Sequence, residues 1–374
     1  MATFSPAPRS HAIVPLTPST GRKGCNDDFV PTPSSAFASD NAAPAHPVAL
    51  EAIVAANTGT APSYGADPVT ARAADRIRAA FDSPGADVLF AFTGTGANII
   101  ALTSAVRPWH EILCSDIAHS LLDEAGGPTL VSGASLHALP SDDGILDPAL
   151  LDRRITRRPD VHHSQPRIVT ITQSTENGRV WQPAAIAEFI DHAHDLDLLV
   201  HVDGSRIANA IAALDVPPAQ AVGDADIVTI GGTKNGILFG DAILVRRPEH
   251  FTGIEFVQKQ IGHLASKHRY VSAQFDAMLA DGAWLQAAAH ANAMAARLSS
   301  GITNLGLHLS SPTEANEVFV DLPSEALSEV REHFAVHAPD PHKPAVRFVC
   351  SWATTDDDVD AALRALSEAQ ARII

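Results

Sequence analysis

Three residues at the ends of two apolar runs carry the strongest chemical signal: Asp203 and Arg206 in DLLVHVDGSR, and Lys234 in IVTIGGTKNG. The runs Leu198–Val202 and Ile227–Ile230 read as buried parallel strands. In an open α/β sheet, ligands bind beyond the carboxyl ends of strands, so the three side chains are expected in one crevice. A lysine there is either a phosphate contact or an amine nucleophile. Amine lysines form Schiff bases with carbonyl substrates and with pyridoxal phosphate (PLP), whose pyridine nitrogen wants an acidic partner. The bland alternative is a capping Asp and a surface Lys at unrelated strand ends.

Other strand ends weigh against the bland reading. TGTGAN (93–98) follows a strand and opens a helix. Its glycines let the backbone approach a ligand, and a helix start favours an anion, so Gly94 and Thr95 read as a phosphate seat or as a tight turn. It is neither a dinucleotide fingerprint nor a P-loop. His119 also follows a strand, where it can stack on a planar cofactor, move a proton or cap a helix. Glu124 is expected to serve structure. In ITQSTENG (171–178), Glu176 and Asn177 are expected to face the same crevice. His162 and His163 are paired but have no carboxylate or cysteine at ligand spacing, so no metal is read there. KQIGHLASKHRY (259–270) is a positive patch, either a solvated helix face or a phosphate contact across a subunit boundary. Arg347 opens a later strand, where a bidentate carboxylate clamp can stand.

The elements needed to hold these residues alternate. Strands are expected at Val88–Phe92, Ile112–Ser115, Arg167–Thr172, Leu198–Val202, Ile227–Ile230 and Ala242–Arg246, with helices between them, such as Ala97–Val106 and Pro183–Asp195. That alternation implies right-handed crossovers and a mostly parallel sheet. Helices are also expected from about Pro47 and over Pro68–Phe81. From Phe251 a nearly continuous helical region runs to Leu298, broken at Gly282. Strands near Val318–Leu322 and Arg347–Trp352 and a final helix over Asp357–Ala371 suggest a smaller α+β lobe. Residues 1–28, rich in Pro, Ser, Thr and Ala, read as a disordered tail.

Composition narrows the classes. The chain has 374 residues, 45% of them apolar, and a formal net charge of −17. Such an acidic chain argues against a broad nucleic-acid or anionic-membrane surface. Three cysteines, Cys25, Cys114 and Cys350, give no disulfide framework, which favours a reducing, cytoplasmic setting. Neither an apolar span of membrane length nor a secretory h-region is visible.

Taken together, FASDN, SYGADPVTARAAD, FTGTGAN, CSDIAHSLLDEAGGP, VTITQSTENG, HVDGSRIANA, GGTKNG, KQIGHLASKHR and VRFVCSW resemble, in order, the motifs of the PLP-dependent threonine aldolases. These belong to the β-eliminating lyase group of the aspartate-aminotransferase-like fold (fold type I), and the likeness is greatest to the bacterial low-specificity L-threonine aldolases, which include phenylserine aldolases. The resemblance implies a large α/β domain with a mostly parallel seven-stranded sheet over 57–284 and a small α+β domain over 285–374, with 29–56 packing on the latter. It implies Lys234 as the Schiff-base lysine, Asp203 at the pyridine nitrogen and Arg206 near the ring's phenolic oxygen. His119 would stack on the ring, and Gly94 and Thr95 would hold the phosphate. Ser39 and Arg347 would bind the substrate carboxylate, and His162 would lie near the substrate hydroxyl. Tyr64 and Arg269 would reach in from a neighbouring subunit of a homodimer or homotetramer. Ser205 stands where the family usually has alanine, and Gly96 replaces another common alanine.

The implied activity is retro-aldol Cα–Cβ cleavage of an L-3-hydroxy amino acid to glycine and an aldehyde, with His119, His162 or a water that either orients as base. Rival readings are transamination, racemisation or β-elimination on the same scaffold, and a non-catalytic PLP-binding protein. A nicotinamide dehydrogenase is disfavoured by the missing fingerprint.

Overall fold

Side chains alternate along a strand, and in this chain both faces of the main sheet are apolar. The computed structural model describes residues 33–338 and 344–371. The tail expected over 1–28 lies outside them. The described strands are β1 (Asp87–Ala91), β2 (His110–Ser115), β3 (Ser135–Leu139), β4 (Gln165–Thr172), β5 (Leu199–Gly204), β6 (Ile227–Gly231), β7 (Asp241–Val245), β8 (Glu317–Asp321) and β9 (Ala345–Val349). The first seven form one sheet in the order β1-β7-β6-β5-β4-β2-β3, and β8 pairs with β9. β2 to β6 are mutually parallel, while β7 runs against both its neighbours, β1 and β6.

Leu199, Ile227 and Ile243 enter one core with Ile100 and Ile112. Their neighbours Val200, Val228 and Leu244 enter the opposite core with Phe90 and Phe189. The helix Gly94–Ala105 covers the first face, and the helices Pro183–Asp195 and Ile207–Leu214 cover the second. Each such aliphatic or aromatic side chain, fully buried, contributes about 1.5–3 kcal/mol, so the strand ends are held on a stiff frame.

A separate core gathers Phe37, Val318, Val320, Phe348 and Leu366. The helix Ala283–Asn304 belongs to both parts: Trp284 and Ala288 pack in the sheet core, Ala295, Leu298 and Ile302 in the C-terminal one. The amide of Val349 donates to the carbonyl of Phe37 at 3.0 Å, tying the start of the described chain to β9. The next helix, Pro47–Ala56, packs instead on the helix Arg269–Ala280.

One local expectation is corrected, and one strand had none. The region read as nearly continuous helix is split into Ile254–Gln260, Arg269–Ala280 and Ala283–Asn304. Gly262 turns with φ +82°, where a side chain would be strained, and the chain stays non-helical until Arg269. The edge strand β3, with sequence SLHAL and a largely exposed pattern, went unanticipated.

Candidate active site

The carboxyl ends of β2, β4, β5 and β6 open on one cavity of about 1000 Å³, whose wall includes Ser39, His119, Glu176, Arg206, Lys234 and Arg347. Lys234 stands in the turn Thr233–Asn235, directly after β6. That turn presses on the one after β5, because a side chain on Gly231 would run into the carbonyl of Ser205. The Lys234 amine forms no hydrogen bond or ion pair with the described residues. Burial, helped by the Arg206 charge, lowers its pKa, while Asp40, Asp203 and Glu317 pull the other way. A buried, unpaired amine with depressed basicity is a competent nucleophile.

Asp203 is the penultimate residue of β5 and is buried. Its Oδ1 accepts hydrogen bonds from the amide of Ser205 at 3.0 Å and from its hydroxyl at 2.6 Å, and Oδ2 accepts one from Asn98 Nδ2 at 2.7 Å. Burial opposes ionisation. His201, the Ser205 hydroxyl, Lys234 and Asn98 together outweigh it and hold the carboxyl below its usual range.

Asn98 escaped the sequence reading. It lies in the helix Gly94–Ala105, and the same amide nitrogen also donates to Glu124 Oε1 at 2.9 Å. Its oxygen accepts from Thr229 at 3.1 Å. The one available signal was a buried amide in an otherwise apolar helix. Glu124, read as structural, bonds His119 Nδ1 at 3.1 Å, and that contact raises the histidine's pKa against the opposing effect of burial. Glu176 bonds the amide of His119 at 2.8 Å, and both Glu176 and Asn177 line the cavity as expected.

On the other wall, Arg206 is held by Asp40 and Glu317, and Glu317 also pairs with Arg347 at 3.3 Å. The Nε of Arg347 is buried with no partner among the described residues. Ser39 caps the turn Asp40–Ala42, its hydroxyl accepting from the amide of Asn41 at 3.2 Å.

Gly94 and Thr95 open the helix Gly94–Ala105, where Thr93 caps the amide of Gly96 at 3.0 Å. A Cβ at Gly94 would come to 2.9 Å from Asp241 Oδ2, a buried carboxyl whose other oxygen accepts from the amides of Gly232 and Thr233. Burial raises its pKa against those bonds. Gly96 has a steric explanation: the ring of His263, anchored by the Phe92 amide at 3.0 Å, fills the space that an alanine methyl would need.

Six expected site residues are not in the wall of this cavity within one chain: Asp203, Gly94 and Thr95, placed above, and His162, Tyr64 and Arg269. His162 is exposed just before β4, at the amino end of the sheet, opposite the cavity. Tyr64 is 52% exposed, under the Lys259 ammonium at 4.8 Å. Arg269 bonds the Gly59 carbonyl at 3.4 Å.

The family model described as Beta-eliminating lyase matches residues 36–325. The chain belongs to the beta-eliminating lyase family. Among relatives, it is 40% identical to a low specificity L-threonine aldolase of a Pseudomonas species over 86% of this chain and 94% of that one. It is 38% identical to another from Pseudomonas aeruginosa, over 85% and 93%. A threonine aldolase structure from Leishmania major superposes with a TM-score of 0.84 at 26% identity, covering 91% of this chain and all of that one. An aspartate aminotransferase of Thermus thermophilus, at 14% identity and a TM-score of 0.69, shares the fold. This beta-eliminating lyase therefore has the fold type I architecture, with its cavity at the carboxyl ends of the parallel strands.

Proposed function

We propose that this protein is a PLP-dependent, low-specificity L-threonine aldolase. It would cleave L-threonine, L-allo-threonine and related L-3-hydroxy amino acids such as phenylserine to glycine and an aldehyde. The carrying observation is that one cavity is lined by Lys234, whose amine has no partner among the described residues, and by the half-satisfied guanidinium of Arg347, while the buried carboxylate of Asp203 acts electrostatically on that amine. A buried guanidinium nitrogen without a partner among the described residues, and a carboxylate with an acceptor site to spare, suit a ligand that brings an anion and a cationic N–H. Both relatives from Pseudomonas bear the same activity in their names.

PLP, held by Lys234, Asp203, Arg206, Gly94 and Thr95, would supply an electron sink for the bond broken at Cα. The chain's own residues do the rest. Arg347 and Ser39 bind the substrate carboxylate, and that anchoring sets which Cα bond lines up for cleavage. Asp203, held ionised by its surroundings, would favour a proton on the ring nitrogen. His119 forms a face of the cavity and, with its basicity raised by Glu124, is the candidate to accept the β-hydroxyl proton as the Cα–Cβ bond breaks. The amine of Lys234 is the candidate to return a proton to Cα. His162, Tyr64 and Arg269 would act only in a homodimer or homotetramer, reaching another copy's cavity. A reducing compartment such as the cytoplasm suits the free, buried thiols of Cys114 and Cys350.

The test offers L-threonine, L-allo-threonine and phenylserine to the PLP-loaded protein and assays glycine and aldehyde in equal amounts. Amino transfer to a keto acid without aldehyde would replace this reading with an aminotransferase.

A further inference from the structure

Ser205 has a hydroxyl aimed at the buried carboxylate of Asp203, near the end of β5. Its oxygen lies 2.6 Å from Asp203 Oδ1, which the Ser205 amide also reaches at 3.0 Å. The turn carrying it has no slack. A side chain at Gly204 would strike the carbonyl of Thr229, and one at Gly231 the carbonyl of Ser205. The hydroxyl is thus delivered by a backbone clamped between β5 and β6.

The groups facing Asp203 are Asn98 from the helix Gly94–Ala105, His201 on β5, Lys234 beyond β6, and, at longer range, His119, Glu124 and Glu176. His201 is fully buried, its Nδ1 bonded to the Thr170 hydroxyl at 2.8 Å, and burial pulls its pKa down to about 4. At neutral pH that ring carries no charge, and the groups that still favour an ionised Asp203 there are Ser205, Lys234 and Asn98. A carboxylate oxygen has roughly two acceptor sites. Those of Oδ1 are taken by Ser205, and Oδ2 keeps one site beside the Asn98 bond.

We propose that Ser205 is a positioning residue for Asp203: its hydroxyl saturates Oδ1, so that the carboxylate stays weakly basic, in one orientation, and meets a ring N–H through Oδ2. This rests on the PLP reading. In its terms the hydroxyl keeps the shared proton on the ring nitrogen and off the carboxyl, which preserves the ring's electron demand. An alanine at this position would leave Oδ1 with the amide bond alone.

Ser205→Ala and Ser205→Thr test it in two ways. In the cofactor-free protein, the Asp203 carboxyl is followed by 13C NMR against pH. Ser205→Ala should move its titration up by about one pH unit, and Ser205→Thr should hold it near wild type. In parallel, PLP titrated by absorbance should bind Ser205→Ala about tenfold more weakly than wild type, with Ser205→Thr again near wild type. The pH midpoint of the visible band of the loaded protein should rise in the alanine variant. An unmoved carboxyl titration, PLP affinity within twofold of wild type in Ser205→Ala, or a threonine variant as defective as alanine would each overturn the proposal. Failure of wild type itself to bind PLP would overturn the proposed function instead, and the carboxyl titration would still decide the role of Ser205.

Discussion

Arg206 and Asp40 are joined by a two-point ion pair, Nε to Oδ2 at 2.7 Å and Nη2 to Oδ1 at 3.1 Å, with both side chains buried. Asn316 adds a third bond to Asp40 at 3.1 Å, and Glu317 approaches Arg206 at 3.4 Å and Arg347 at 3.3 Å. Four charges of alternating sign thus run from the start of the described chain, through the end of β5, to β8 and β9. Burial opposes ionisation of Asp40, but Arg206 and Lys234 hold it below its usual pKa. This network fixes Arg206 in the cavity wall and orients Arg347 through Glu317.

Removing one partner of a buried pair leaves the other charge uncompensated, at about 3–5 kcal/mol. Asp40→Asn keeps the shape and loses the charge, and Glu317 remains as a second anion near Arg206. A loss of about 3 kcal/mol in urea-unfolding stability is therefore expected. A change under about 0.5 kcal/mol would mean the pair is solvated in solution and contributes little.

Lys234→Ala should abolish covalent cofactor capture. After borohydride treatment with PLP, mass spectrometry should find the adduct on Lys234 in wild type and none in the variant, with glycine formation down by more than about a thousandfold. Among the described residues the amine makes no hydrogen bond or ion pair, so the cofactor-free variant should unfold near the wild-type midpoint. A retained adduct elsewhere would displace Lys234 from its role.

Asp203, Lys234 and His119 were legible because parallel strands deliver their C-terminal residues to one edge, and strand ends can be read from apolar runs. Asp40 and Glu317 were not: their partners lie far off in sequence, and nothing local marks a carboxylate as half of a buried pair. Asn98 was hidden for the same reason, since its value lies in spanning Asp203 and Glu124. His162 was tied to the substrate by its motif, yet its loop precedes β4 and so sits at the sheet's other end. A motif carries chemistry across relatives without saying which copy of the chain supplies it. β3 was missed because an exposed, five-residue edge strand lacks the apolar run that betrayed β5 and β6.

His119 owes its raised pKa first to the Nδ1 bond with Glu124, with burial working against it. A base whose folded pKa is raised contributes stability below its ordinary value, and that stability is lost as pH rises through the folded value. Glu124→Gln keeps an oxygen for Asn98 and removes the charge. The His119 ring, followed by proton NMR, should then titrate lower than in wild type, and the acid-side stability tied to it should shrink. An unchanged titration would show that the bond does not persist in solution.

Glu176 shows the opposite sign. Its Oε1 accepts from the His119 amide and the Thr172 hydroxyl, both at 2.8 Å, while Oε2 is buried without a partner among the described residues. Burial dominates those bonds and, with the Asp203 charge, pushes the carboxyl from an ordinary 4.5 up to about 7. The folded state therefore holds a proton that the unfolded chain has released, and stability falls as pH rises through that window. Glu176→Gln cannot ionise. It should match wild type in urea unfolding near pH 4.5 and exceed it increasingly until about pH 8, where the cost in wild type is complete. A stability difference that stays flat with pH, or grows toward acid, would place the carboxyl in contact with water and leave it ionised at neutral pH.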